Sequence, residues 1–139
     1  MERVKFIGKP LLKNLYNTSS AIGNLGEDEA VRILKKQGYI IIERNYTVRG
    51  GEIDIIARDG EYICFVEVKL RKSNNYGTPA EMITPYKKTR LIKAARLYAL
   101  KKGLTATPQR FDAVLLNGEV MDGKLKITQS EVIKNAFEL

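Results

Sequence analysis

The sequence predicts a single α/β domain in which a central mixed sheet is flanked by helices, in the order helix, three strands, helix, strand. Three observations carry this. A helical stripe of apolar residues opens the chain after residue 18. Two near-continuous apolar runs, Ile53 to Ala57 and Tyr62 to Leu70, flank a short polar turn and read as a hairpin buried on both faces. A second helical stripe then separates that hairpin from the buried run Arg110 to Leu116, a crossover that lays the last strand parallel to a hairpin strand.

Residues 1 to 18 mix Lys5, Lys9 and Lys13 with short apolar pieces and Pro10, and read equally as a packed or a mobile arm. Thr18, Ser19 and Ser20 offer a helix N-cap, Ile22, Leu25, Ala30, Ile33 and Leu34 follow at helical spacing, and Gly38 ends the helix after about four turns. Glu27 falls at the edge of its buried face. Two readings stand: it reaches inward, or with Asn24 it forms a capping pair favoured by the helix dipole. Tyr39 to Glu43 is a β-branched strand that Arg44 to Val48 continues or borders, and Arg49-Gly50-Gly51 turns the chain into the hairpin.

After the hairpin, Arg71 to Gly77 is polar, basic and aperiodic, as a loop at the mouth of a cleft or a plain solvated connection is. The second helix runs from Thr84-Pro85 to Lys102 before Gly103, with Leu91, Ala94, Ala95 and Tyr98 facing the core and Arg90, Lys93, Arg96, Lys101 and Lys102 facing water. Lys87 extends the inward stripe by a turn. Either its stem snorkels at the helix start, or its ammonium serves a substrate phosphate. In the strand from Arg110 to Leu116, Asp112 is suited to pairing with a base. Asn117-Gly118 and Asp122-Gly123 are turn signals, Leu125 to Thr128 forms a last short strand, and EVIKNAFEL reads as a docked helical end.

Composition excludes much. A single cysteine, Cys64, permits no internal disulfide, and no stretch is apolar long enough to span a membrane or to serve as a signal peptide, so a soluble cytoplasmic protein is expected. The chain contains no histidine, which removes Ser-His-Asp and Cys-His catalysis and the usual zinc sites. There is no Gly-x-x-x-x-Gly-Lys-Ser/Thr or Gly-x-Gly-x-x-Gly loop for nucleotides. With 24 basic and 16 acidic residues the net charge is +8, which favours a polyanionic partner, most simply nucleic acid.

The chemistry therefore rests on carboxylates and lysine, and the hairpin holds them where charge is costly. Asp54 interrupts its first apolar run, Glu67 and Lys69 its second. Alternation puts Glu67 and Lys69 on the face of Ile63 and Phe65, about 7 Å apart, with Cys64, Val66 and Val68 on the other. If Asp54 lies across from Glu67, two carboxylates and an ammonium converge, a set suited to Mg²⁺ and to orienting an attacking water. The rival reading is a solvent-facing Glu-x-Lys pair.

Asp54 followed by Glu67-Val68-Lys69 resembles the Asp then (Asp/Glu)-x-Lys signature of the restriction-endonuclease-like nucleases. GNLGEDEA, the GEID of Gly51 to Asp54, FVEVKLR, TPYKKTRLIKAARLYA and RFDAVLL are similar to the YraN-like uncharacterised bacterial family, and the helix with Gly23 and Glu27 is similar to the opening of archaeal Holliday-junction resolvases. The resemblance implies a restriction-endonuclease-like fold over residues 1 to 139 and Mg²⁺- or Mn²⁺-dependent DNA hydrolysis. In it Asp54, Glu67, Val68 and Glu27 surround the metal, Lys69 positions water, and Lys87, Arg71 and Glu52 lie toward the substrate. The expected substrates are branched, flap or single-stranded DNA, and a homodimer is expected where a four-way junction is cut symmetrically. The alternative is a noncatalytic nucleic-acid-binding protein that recruits partners, and a third reading is a purely structural or assembly protein.

Overall fold

The structure, a computed structural model, describes residues 19–71 and 83–138. The expectations for residues 1–18 and for the segment after Arg71 fall outside the described residues. Helix α1 spans Ser19–Lys36, followed by β1 (Ile40–Val48), β2 (Gly51–Asp59), β3 (Tyr62–Arg71), α2 (Pro85–Lys102), β4 (Gln109–Met121) and β5 (Lys124–Phe137). The five strands form one sheet in sequence order. All neighbours are antiparallel except β3 and β4, which α2 connects as a parallel pair.

The two faces of the sheet carry separate apolar clusters. Ala30 and Leu34 of α1 pack on Ile55, Ala57, Cys64, Val66, Val114 and Leu116. Leu91, Ala94, Ala95 and Tyr98 of α2 pack on Ile53, Ile56, Ile63, Phe65 and Phe111. β2 and β3 therefore face apolar groups on both sides, which accounts for their near-continuous apolar sequences. The caps of α2 match the sequence: the Thr84 hydroxyl accepts a hydrogen bond from the Lys87 amide, Pro85 occupies the first turn, and Gly103 closes the helix in the left-handed region. Gly51 lets α2 settle closely on β2, since a Cβ there would lie 2.7 Å from the Arg90 carbonyl oxygen.

Two expectations at the C-terminal end are overturned. Asn117-Gly118 is no turn, because β4 runs through it with a register irregularity and reverses only at Asp122-Gly123, where both residues have positive φ. The segment from Glu131 to Phe137 is not a helix. It continues β5, with Val132 in the α1-side cluster and Ile133 with Ala113 and Leu115 on the other face. Its pairs Val132-Ile133 and Ala136-Phe137, four apart, imitate a helical stripe. An irregularity between the Ala113–Ile133 and Phe111–Phe137 pairs, with Asn135 at φ 55°, resets the strand so that Phe137 stacks on Phe111 at 4.8 Å.

Candidate metal and nucleic-acid site

The pairing of β2 with β3 runs from the Gly60-Glu61 turn, through Asp59–Tyr62, to Ile55–Val66, and stops there. The next residue of β2 is Asp54. Ile53 packs with the α2 cluster and Ile55 with the α1 cluster, although residues two apart in a regular strand share a face. The strand thus rolls over at Asp54. Where a backbone carbonyl is no longer available, the Asp54 carboxylate takes over and its Oδ2 accepts the Val68 N–H at 2.8 Å. This contact fixes Asp54 beside the Glu67-Val68-Lys69 segment.

Glu67 is 5 % exposed on the α2 face, and the only described cation within ion-pair range is Lys87, whose Nζ lies 3.5 Å from Oε2. Burial, then the charge of Asp54, pushes the Glu67 carboxyl up to about 7, against the pull of Lys87. Asp54 is also held above the usual carboxylate range, chiefly by burial, while the Val68 amide and Lys87 act in the opposite direction. Of the two neighbouring acids Asp54 ionises first, and its charge keeps the proton on Glu67. The two carboxyls are thus close enough to compete for charge, and among the described residues Lys87 is the cation that acts on both.

Lys87 enters from the first turn of α2, as its place one turn before Leu91 predicts. It also contacts Glu52 Oε1 at 3.4 Å, and Arg90 reaches the same oxygen at 4.0 Å, so Arg90 is less free than a solvent-facing position implies. Burial alone lowers the Lys87 pKa, yet Glu67, Asp54 and Glu52 together raise it. Lys69 is half-buried two residues beyond Glu67 and makes no ion pair with a described carboxylate. Arg71 is the half-buried last residue of β3, where a loop was expected.

From the opposite face, α1 delivers Glu27, which is 7 % exposed. Asn24 and Glu27 lie inside the helix rather than at its start, which removes the capping explanation. Burial raises the Glu27 pKa and Asp54 adds to the effect, so Glu27 lies within electrostatic reach of the pair. Its Oε1 accepts hydrogen bonds from Arg44 Nη2 at 3.1 Å and Asn45 Nδ2 at 2.9 Å. Sequence reasoning missed both partners. The one signal was Asn45 itself, a poor strand former within a strand rich in β-branched and aromatic residues.

Among the described residues no three carboxylates converge as a ready-made cation cage. A ligand set that includes Glu27 alongside Asp54 and Glu67 is therefore not what the geometry provides. At Val68 the N–H orients Asp54, which leaves the Val68 carbonyl oxygen as the atom able to ligate a cation. Two neighbouring carboxylates, each raised by burial, still suit one divalent ion of the Mg²⁺ type, which binds through one or two protein carboxylates and completes its shell with water and phosphate oxygens.

A family model described as uncharacterised protein family UPF0102 matches residues 26–116, a span that includes Glu27, Asp54, Glu67, Lys69 and Lys87. Among similar curated proteins, a UPF0102 protein of Hahella chejuensis is 48 % identical over 69 % of this chain and 77 % of its own length. One from Clostridium kluyveri is 38 % identical over 90 % of this chain and all of its own, and one from Clostridium tetani is 43 % identical over 91 % and 99 %. The chain belongs to the UPF0102 family, the YraN-like group that its motifs resemble.

Proposed function

We propose that this protein is a metal-dependent DNA endonuclease of restriction-endonuclease-like fold, with its site at the end of the β2–β3 pairing. The observation that carries the reading is the pairing of buried Glu67 with half-buried Asp54, set where two strands part and met, among the described cations, by Lys87. Two neighbouring acids, one of them buried, are unfavourable to the fold on their own, and a cation that binds them accounts for their placement.

Asp54 and Glu67 would hold the ion, which would supply phosphate charge neutralisation and a lowered pKa of water. Lys69 orients the attacking water from the same face of β3. Glu27, tied to Arg44 and Asn45, assists from outside the ligand set. Lys87, now held by Glu67, would be the residue to reach a substrate phosphate once the acids are neutralised by other means. Helix α2 contains no acid, and Lys93, Arg96, Lys101 and Lys102 are exposed along it, a surface complementary to a nucleic-acid backbone. Arg71 and Glu52 border the site on the substrate side.

The noncatalytic reading, a nucleic-acid-binding protein that recruits partners, draws on the Lys87–Glu67 contact, which partly neutralises the site without a metal. One experiment separates them. Branched, flap, single-stranded and duplex DNAs are incubated with Mg²⁺ or Mn²⁺ and with wild type, Asp54→Asn or Lys69→Ala protein. Cleavage by wild type, reduced by about 10² to 10⁴-fold in the variants, supports the nuclease. Salt-sensitive binding without cleavage, or cleavage equal in all three proteins, overturns it. Symmetric cutting of a four-way junction additionally requires a dimer, which sedimentation detects.

A further inference from the structure

Three described residues other than glycine have positive φ: Asn45, Asp122 and Asn135. Two are accounted for by the backbone. Asp122 lies in the two-residue turn between β4 and β5, and Asn135 lies at the β5 irregularity, where its N–H donates to Asp112. Asn45, at φ 53°, lies in the middle of β1. The pairs on either side of it, Arg44–Ile55 and Tyr46–Ile53, stay in phase, so no residue is inserted there and Asn45 lies across from Asp54. The two residues mark the same roll-over of the strand pair.

A backbone requirement of this kind is met best by glycine. The chain instead has asparagine, whose Nδ2 donates to Oε1 of the nearly buried Glu27 at 2.9 Å. Arg44 completes a clamp on the same oxygen, while Glu27 Oε2 accepts no hydrogen bond from a described residue. We infer that Asn45 is a positioning residue. It holds the Glu27 carboxylate by one oxygen beside Asp54, so that the other oxygen is available to water in the shell of a bound divalent cation. The inference rests on the metal-site reading and adds an outer carboxylate and its holder to it. Outer partners of this kind typically change metal affinity by about 10 to 100-fold.

Glycine separates the two roles of Asn45, because Asn45→Gly keeps the left-handed backbone and loses only the amide. Full-length wild type, Asn45→Gly, Glu27→Gln and the double variant are titrated with Mn²⁺, and free ion is read by electron paramagnetic resonance on protein with a native circular dichroism spectrum and melting curve. The expected result is binding weakened by about tenfold in Asn45→Gly, with no further loss when Asn45→Gly is added to Glu27→Gln, since residues acting through one group are non-additive. Asn45→Asp, which tolerates the same φ but repels Glu27, is expected to bind no better than Asn45→Gly. Wild-type affinity in Asn45→Gly, or additive losses in the double variant, overturns the positioning role and leaves the Asp54–Glu67 site standing. Absence of Mn²⁺ binding by wild type overturns the metal site and this inference with it.

Discussion

Two acids of one sheet, half-buried Asp54 and fully buried Asp112, are treated in opposite ways. Asp112 is fully buried and saturated. Its carboxylate accepts hydrogen bonds from Arg110 Nε and Nη2, the Tyr39 hydroxyl and the Asn135 amide, at 2.8 to 2.9 Å. Arg110 is itself shared with Asp59, near the hairpin turn, and stacks over Tyr62. Asp54, at the other end of the β2–β3 pairing, accepts one backbone N–H and stands beside a second acid. A saturated acid fastens strands together, whereas an acid left with a like-charged neighbour keeps capacity for something not supplied by the chain.

Substitution tests that contrast directly. Asp112→Asn keeps the shape but withdraws the charge that Arg110 is buried against, and is expected to cost about 3 to 5 kcal/mol in urea unfolding. Asp54→Asn removes one of two competing charges, and its stability at pH 7 without metal is expected to equal or exceed that of wild type. Equal losses for the two would show that both acids are structural.

The close approach of α2 comes next in size. Gly51→Ala places a methyl group 2.7 Å from the Arg90 carbonyl oxygen, against backbone rather than a pliable side-chain end. Overpacking of this type costs about 1 to 3 kcal/mol. It is also expected to shift the first turn of α2 and loosen the Lys87–Glu67 contact, so divalent-ion affinity changes along with the melting temperature. A destabilised variant with unchanged affinity would uncouple α2 from the site.

Glu67 gives the comparison a pH dependence. Its carboxyl is raised from the ordinary 4.5 to about 7 in the fold, so in the interval between these values the native state binds the proton that the unfolded chain has released. Stability without metal is therefore expected to fall as pH rises from about 4.5 to 7, because the unfolded state there holds fewer protons. Glu67→Gln removes this slope and is expected to stabilise the protein at pH 7 by on the order of 1 to 2 kcal/mol. Added Mg²⁺ is expected to raise the wild-type melting temperature most at the upper end of this window, where the carboxylate is ionised and available. A flat wild-type profile, matching Glu67→Gln, would place Glu67 in an ordinary environment.

The sequence made the hairpin legible because three charges in an apolar context are improbable without a purpose, and made α2 legible because Thr84, Pro85 and Gly103 punctuate it unambiguously. The parallel pairing of β3 and β4 followed from a helix separating two buried strands. The holders of Glu27 were hidden, since Arg44 and Asn45 are 17 and 18 residues away and meet it only through the roll-over of β1 and β2. The end of β5 was misread because a strand irregularity turns apolar pairs four apart into an alternating surface. Local spacing reports the regular part of an element, and both failures lie where regularity is broken by a left-handed residue, Asn45 or Asn135.

The smallest expected effect lies at the rim of the saturated cluster. Lys134 Nζ contacts Asp59 Oδ2 at 3.0 Å, but the lysine side chain is half exposed and Asp59 already has Arg110. Water replaces such an ammonium readily, and ion pairs of this kind are worth at most about 1 kcal/mol. Lys134 also lies over the Tyr39 ring at 5.6 Å, a contact of similar modest size at an exposed site. Lys134→Ala is therefore expected to lower stability by about 0.5 kcal/mol, less so in high salt. If the loss instead approached that of Asp112→Asn, the stabilisation would reside in net charge around Asp59 rather than in the hydrogen bonds that saturate Asp112, and the distinction between the two acids would have to be redrawn on charge alone.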